Sequence, residues 1–279
     1  MSADIDKFRV IFRWISENIE YDIKLYLKTV SHDYDPKFWP NKAARWSKRL
    51  NRLYTRHTIK QRISICEGYS WLLETMCRTV GVSCEVIHGY ARNENSDIGR
   101  RFKPNHAWNA VKIDNKWYLS DPTWASGGVN PQFNSYIKYF NEVYFIVNPN
   151  DFITNHYPSD ARWMFLLEKP PLADFFNAPI MTTAFLENSV VHYSPKTGKN
   201  YINRDSVFNF SFTMNHQLES FIAETLTFRN RQSITEILPV TPKQNKEGYY
   251  YFSQAFKEKG EYDLRIYINR GLTFIYKVF

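Results

Sequence analysis

Apolar residues near the N-terminus recur every three or four positions, at Phe8, Ile11, Phe12, Ile15 and Ile19. That period predicts an amphipathic helix with one buried stripe. A second stripe, Tyr69, Leu72, Leu73, Met76 and Val80, follows Cys66 with no proline and one early glycine, Gly68. A helix is therefore predicted to begin at Cys66. Gly68 has no β-carbon, so another backbone or a substrate chain could come close to its first turn. A third stripe, Trp46, Leu50 and Leu53, lies opposite Arg45, Arg49, Arg52 and Arg56, which predicts a helix with one strongly basic face.

The period then drops to two. In His106-Ala107-Trp108-Asn109-Ala110-Val111-Lys112-Ile113, His106 and Trp108 fall on one face of a predicted strand. Cys84 to Tyr90 reads as another strand. Asp114-Asn115-Lys116 is a turn signal, and Trp117 to Asp121 reads as the returning strand of a hairpin. Residues equidistant from the turn lie opposite each other, so Asp121 is expected across from Trp108 and within a pair of residues of His106. Pro122 ends the ladder by removing a donor. Asn93 to Lys103, polar and charged between two strands, is expected to be a loop able to cover a cleft.

The texture changes again at Glu168-Lys169-Pro170-Pro171. Beyond it come short alternating segments, Val207 to Met214, Phe221 to Phe228, Tyr249 to Phe256 and Tyr262 to Ile268, separated by turn clusters such as Ser194 to Gly198 and Glu258 to Glu261. Spacing and length suit an antiparallel β-sandwich of immunoglobulin-like type. The expected organisation is α+β, with a mixed domain over residues 1–170 and an all-β domain over 171–279. No cluster of reactive residues occurs in the second, which is assigned to packing, substrate presentation or partner binding.

Cys66, His106 and Asp121 supply the three groups that thiol-based acyl transfer needs: a nucleophile, an imidazole to pair with it, and a carboxylate to orient the imidazole. Taken singly, each has an ordinary structural reading, as a small core residue, a packed histidine or a turn cap. A cysteine opening a helix, however, meets unpaired amides and the positive end of the helix dipole, which favour a thiolate. The Cys66 amide could also bind an oxyanion. For a second donor, Gln61 is nearest upstream, with a backbone amide or the indoles of Trp46, Trp71 or Trp108 as alternatives. Trp108 and Trp124 flank His106 and Asp121 and would wall the cleft and exclude water. His57 and His88 are alternative bases without a spaced carboxylate. Cys77, Cys84 and His88 lack paired metal-ligand spacing, and a disulfide between Cys77 and Cys84 would be isolated, so neither metal nor cofactor is expected.

Cys66-Glu67-Gly68-Tyr69, Asn105-His106-Ala107-Trp108-Asn109 and Asp121-Pro122-Thr123-Trp124 together resemble the three signature blocks of the transglutaminase-like superfamily, most closely its kyphoscoliosis-peptidase-like branch. Phe8 to Asp22, Cys77 to Ala91 and Tyr144 to Leu167 agree as well, so the resemblance covers roughly the first 170 residues. It implies a papain-like core with Cys66 as nucleophile, His106 as general acid and base, and Asp121 orienting His106. It also implies amide hydrolysis or acyl transfer to an amine, while some members have lost the triad and serve as interaction modules. All three positions are filled, which argues against an interaction module. No cue for a dedicated amine site or a calcium-binding acidic loop is visible, so a cysteine peptidase or amidase acting on protein or peptide amides is the preferred expectation, with protein cross-linking as the alternative.

The net charge of +8 is concentrated. Between Pro36 and Cys66 stand nine Lys or Arg, among them Lys37, Lys42, Lys48, Lys60 and Arg62, and no Asp or Glu. That accounts for the whole excess. It is read as a solvated face or, more sharply, a docking surface for an acidic substrate or a cell-surface polyanion. No nucleic-acid-binding motif accompanies it. The hydrophobic content of 43% supports a sizeable core, and no apolar run reaches membrane-spanning length. Met1-Ser2-Ala3-Asp4 leads almost directly into the first helix. Localisation stays open: extracytoplasmic if a targeting segment has been removed, cytoplasmic otherwise.

Overall fold

A computed structural model describes residues 3–31, 48–130, 135–203, 206–229, 232–256 and 258–279. Lys37, Lys42, Arg45 and Trp46 lie outside the described residues. The chain divides into two compact units: Met1–Gly89, Pro104–Phe152 and Pro158–Leu167 form one, and Tyr90–Lys103, Ile153–Tyr157 and Glu168–Phe279 the other.

In the first unit, helix Ala3–Asn18 buries the stripe of Phe8, Ile11, Phe12 and Ile15. Phe8 and Phe12 pack against Phe145. The chain then forms a two-residue strand, β1 (Glu20–Tyr21), which pairs in parallel with β2 (Ile63–Ser64). The basic helix Lys48–Gln61 leads into β2, and the cysteine helix Cys66–Thr79 leaves it. On the basic helix Leu53 is 55% exposed, whereas Thr55 and Thr58 are buried. Leu53 is therefore not on the buried face, where the small hydroxyl residues Thr55 and Thr58 allow a closer approach to the cysteine helix.

Tyr69, Leu72, Leu73 and Cys77 form the buried side of the cysteine helix. Val80 falls just past its end and is exposed. Gly81 turns the chain there with φ of +82°, and the Val82 amide donates to the Cys77 carbonyl at 2.9 Å. Val82, not Val80, takes the core position. At Gly68, an added β-carbon would lie 1.8 Å from Ser64 Oγ and 2.4 Å from Thr58 Oγ1. The missing side chain admits the end of the basic helix and β2 to the first turn, locking the nucleophile's helix to the strand before it.

β3 (Ser83–Ala91), β4 (His106–Ile113) and β5 (Lys116–Ser120) are antiparallel, with β4 central. Asp114 and Asn115 both have positive φ in the two-residue turn between β4 and β5, the geometry that suits the right-handed twist of a hairpin. Asn109 pairs with Ser120, so the next position brings Asp121 across from Trp108. The wholly buried Asn109 donates from Nδ2 to the Ser70 carbonyl at 3.0 Å, tying sheet to helix.

The second unit is β-rich and sandwich-like. β7 (Val190–Ser194), β9 (Val207–Met214), β13 (Tyr250–Ala255) and β12 (Lys243–Gln244) make one sheet in the order β7-β9-β13-β12. The other runs β8 (Lys199–Asn200), β15 (Gly271–Val278), β14 (Tyr262–Ile268), β10 (Phe221–Arg229) and β11 (Gln232–Ile237), with β6 (Ile180–Met181) beside β15. Alternate residues Phe208, Phe210 and Phe212 of β9 and Leu264, Ile266 and Ile268 of β14 are buried, the one-sided pattern of two sheets face to face. The Asn93 to Lys103 segment belongs here: Ile98 packs with Ile180 and Ile275, and the Gly99 amide donates to the Phe176 carbonyl at 2.7 Å.

Candidate active site

Cys66 is the first residue of its helix, preceded by Ile65, whose side chain makes no cap. The leading amides of a helix have no carbonyl of their own to bond, so donors surround the sulfur's backbone. The side chain packs on Val86 of β3 and Ala107 of β4 and is 4% exposed. One residue past the helix start, Glu67 Oε2 meets His88 Nε2 at 3.1 Å in a nearly buried pair, leaving Glu67 Oε1 without a hydrogen-bond partner. His88 is thus engaged with Glu67, while Cys84 meets Cys77. Cys77, Cys84 and His88 do not converge, and all three cysteines are free thiols.

His106 opens β4 at 8% exposure, and Asp121, directly after β5, is fully buried. His106 Nε2 and Asp121 Oδ2 lie 2.7 Å apart. The other carboxylate oxygen accepts from the Thr123 amide at 2.8 Å and the Trp124 amide at 3.1 Å. Asp121 therefore serves as the N-cap of the short helix Pro122–Ala125 while holding His106. Burial alone would lower the imidazole's pKa. The Asp121 charge and hydrogen bond outweigh it, with a further hydrogen bond and charge from Cys66, and together they push His106 up to about 10. With Nε2 committed to Asp121, Nδ1 is the ring atom left for the sulfur.

The His106 ring lies 6.1 Å from Trp108 and 5.7 Å from Trp124, centroid to centroid. Trp108 is buried and Trp124 half-buried. These indoles remove water from two sides of the imidazole, which strengthens its pairing with the carboxylate. Cys66, His106, Asp121, Trp108 and Trp124 thus share one locality. Gln61 does not visibly join them: it ends the basic helix with its side chain exposed.

Tyr21 was given no role from the sequence, although it lies inside the Phe8 to Asp22 stretch that resembles the family. Its phenol is held well above the ordinary range by burial first and then by the charges of Cys66, Tyr26, Tyr69 and Asp121. Pairing of β1 with β2 sets Tyr21 level with Ser64, two residues before the nucleophile. A network around Tyr69 joins the same elements. Its hydroxyl donates to the Ile19 carbonyl at 2.7 Å and lies 3.3 Å from Ser126 Oγ, which in turn donates to the Thr123 carbonyl at 2.6 Å. Helix, first strand and aspartate loop are therefore held together at one point.

Comparison with known proteins agrees with this geometry. Residues 1–122 match the model of the transglutaminase-like superfamily, a span that includes Cys66, His106 and Asp121. Residues 1–122 carry a transglutaminase-like domain. The mouse and human proteins named kyphoscoliosis peptidase are each 30% identical to this chain over 197 residues, 70% of it and 27% of theirs. Hillarin from Drosophila melanogaster is 27% identical over 132 residues, 43% of this chain and 16% of its own. The chain thus resembles the kyphoscoliosis-peptidase-like branch, and it spans about a quarter of the length of these mammalian relatives.

Proposed function

We propose that this chain is a thiol-dependent acyl-transfer enzyme, a cysteine peptidase or amidase acting on protein or peptide amides. The observation that carries the reading is the Asp121–His106–Cys66 arrangement, in which a doubly anchored carboxylate holds a buried imidazole beside a sulfur at a helix N-terminus. In the proposed cycle, His106 as imidazolium pairs with the Cys66 thiolate, which attacks the amide carbonyl carbon. The Cys66 amide and the Tyr21 hydroxyl donate to the developing oxyanion, and the raised phenol pKa keeps the Tyr21 proton in place to do so. His106 passes its proton to the departing amine as the C–N bond breaks, leaving a thioester on Cys66. His106 then takes a proton from water as the water attacks, and the carboxylic acid leaves with the thiol restored.

An amine attacking the same thioester would give a new amide in place of an acid, so cross-linking shares every step up to that point. No helix among the described residues is long and apolar enough to cross a membrane. The test is acylation by p-nitrophenyl acetate. The proposal requires a burst of p-nitrophenolate with one acetyl group on Cys66, lost in Cys66→Ala and retained in Cys77→Ala and Cys84→Ala. Equal acetylation of all three thiols would overturn it.

A further inference from the structure

Between the basic helix and the cysteine helix runs a groove of about 500 Å³, away from the triad. Arg52, Arg56 and Lys60 line one wall, and Arg78 stands on the other. The first three are one helical turn apart and span about 12 Å along the axis. Thr55 and Thr75 form the floor, with their hydroxyl oxygens 3.3 Å apart. Arg78 pairs with Glu74 at 2.6 Å. Among the described residues, no carboxylate pairs with Arg52, Arg56 or Lys60. Among the described residues four cations thus stand near a single acid, Glu74, and their mutual repulsion favours an anion in the groove.

The groove is not purely polar. Ile59 lines it between these cations and is 45% exposed. A ligand made only of charge would cover the cations and leave this side chain wet. Among the described residues that line the groove none is aromatic, so they offer no ring on which a nucleic-acid base could stack. We propose that the groove binds an acidic polypeptide segment, one that sets carboxylates about a helical turn apart around an aliphatic side chain seated on Ile59.

Resting on the peptidase reading, this makes the groove a selecting site for protein substrates. Thr75 lies nine residues along its helix from Cys66, about 14 Å. Roughly four residues of extended chain cover that distance. An acidic cluster about that far from the scissile amide would raise the local concentration of substrate without touching the triad.

The binding claim is tested without catalysis, on full-length Cys66→Ala protein. The probe is a fluorescent peptide with glutamates every fourth residue and leucine between them, followed by anisotropy at several salt concentrations. Arg52→Glu, Arg56→Glu and Lys60→Glu together should weaken binding at least about tenfold, and the corresponding glutamine triple less so. Ile59→Ser should weaken it severalfold with the salt dependence unchanged. The glutamine triple also guards against misfolding, since these exposed positions should leave the melting temperature unaltered. Equal binding by the charge-reversed protein would overturn the proposal. So would equal or tighter binding of a polyglutamate without leucine, a sulfated oligosaccharide or a single-stranded oligonucleotide of the same charge. Absence of Cys66 acylation in the wild-type protein, with peptide binding intact in Cys66→Ala, would sink the peptidase reading alone.

Discussion

Replacing Asp121 by asparagine removes the charge on which the site depends while conserving shape. The amide oxygen can still accept from Thr123 and Trp124, so the short helix after β5 keeps its cap. The amide nitrogen now faces His106 Nε2 as a donor, which forces the imidazole toward the wrong tautomer. The interval between 6.5 and about 10 for His106 corresponds to roughly 5 kcal/mol in favour of imidazolium. Asp121 is the larger of the two contributors, and Cys66 supplies the rest. Without the carboxylate, burial dominates, and the ring should be neutral at pH 7.

Two measurements follow from that shift. Alkylation of Cys66 by iodoacetamide, mapped apart from Cys77 and Cys84, should be faster at pH 7 in the wild type, where His106 is charged, than in Asp121→Asn. Turnover in Asp121→Asn should fall on the order of 10⁴-fold. Stability carries the same signature. A histidine raised in the folded state stabilises fully below its unfolded value of about 6.5 and loses that contribution as pH rises through about 10. Urea unfolding should therefore show the substitution costing several kcal/mol at pH 6 and little above pH 10. An unchanged alkylation profile, or a cost independent of pH, would refute the assignment of Asp121 as the group that charges His106.

Gly68→Ala should destabilise by about 1–3 kcal/mol in chemical denaturation, because its methyl would overlap Ser64 Oγ and Thr58 Oγ1. Adding Ser64→Ala should recover part of that loss, and no recovery would point to a different origin. Tyr21→Phe should reduce kcat on the order of 100-fold with little change in KM or melting temperature. An equal fall in stability would make Tyr21 a packing residue.

The convergence of Cys66, His106 and Asp121 was legible in the sequence because each sits in a local pattern. The hairpin register that brings Asp121 opposite Trp108 can be counted from the Asp114-Asn115 turn, and the Cys66 helix can be read from one apolar stripe. Likewise Val207 to Met214 and Tyr262 to Ile268 alternate visibly, since each buries one face in the sandwich. Tyr21 was hidden for the opposite reason. It acquires its place through a two-residue parallel pairing with Ile63–Ser64, more than forty positions away, and periodicity carries no information about such partners. Gln232–Ile237 is exposed along its length, so it shows no alternation to detect. Leu53 and Val80 misled because a stripe reports what is apolar, not what another element covers. Gly68 was read as room for another backbone or a substrate chain, and the close neighbours are Ser64 and Thr58 of the same domain.

The most direct test of the central claim is intact-protein and peptide mass spectrometry after brief exposure to p-nitrophenyl acetate near neutral pH. The account predicts one hydroxylamine-sensitive acetyl thioester on Cys66, formed in a burst and hydrolysed on standing. Acetylation absent from Cys66, or no faster there than at Cys77 and Cys84, would contradict it.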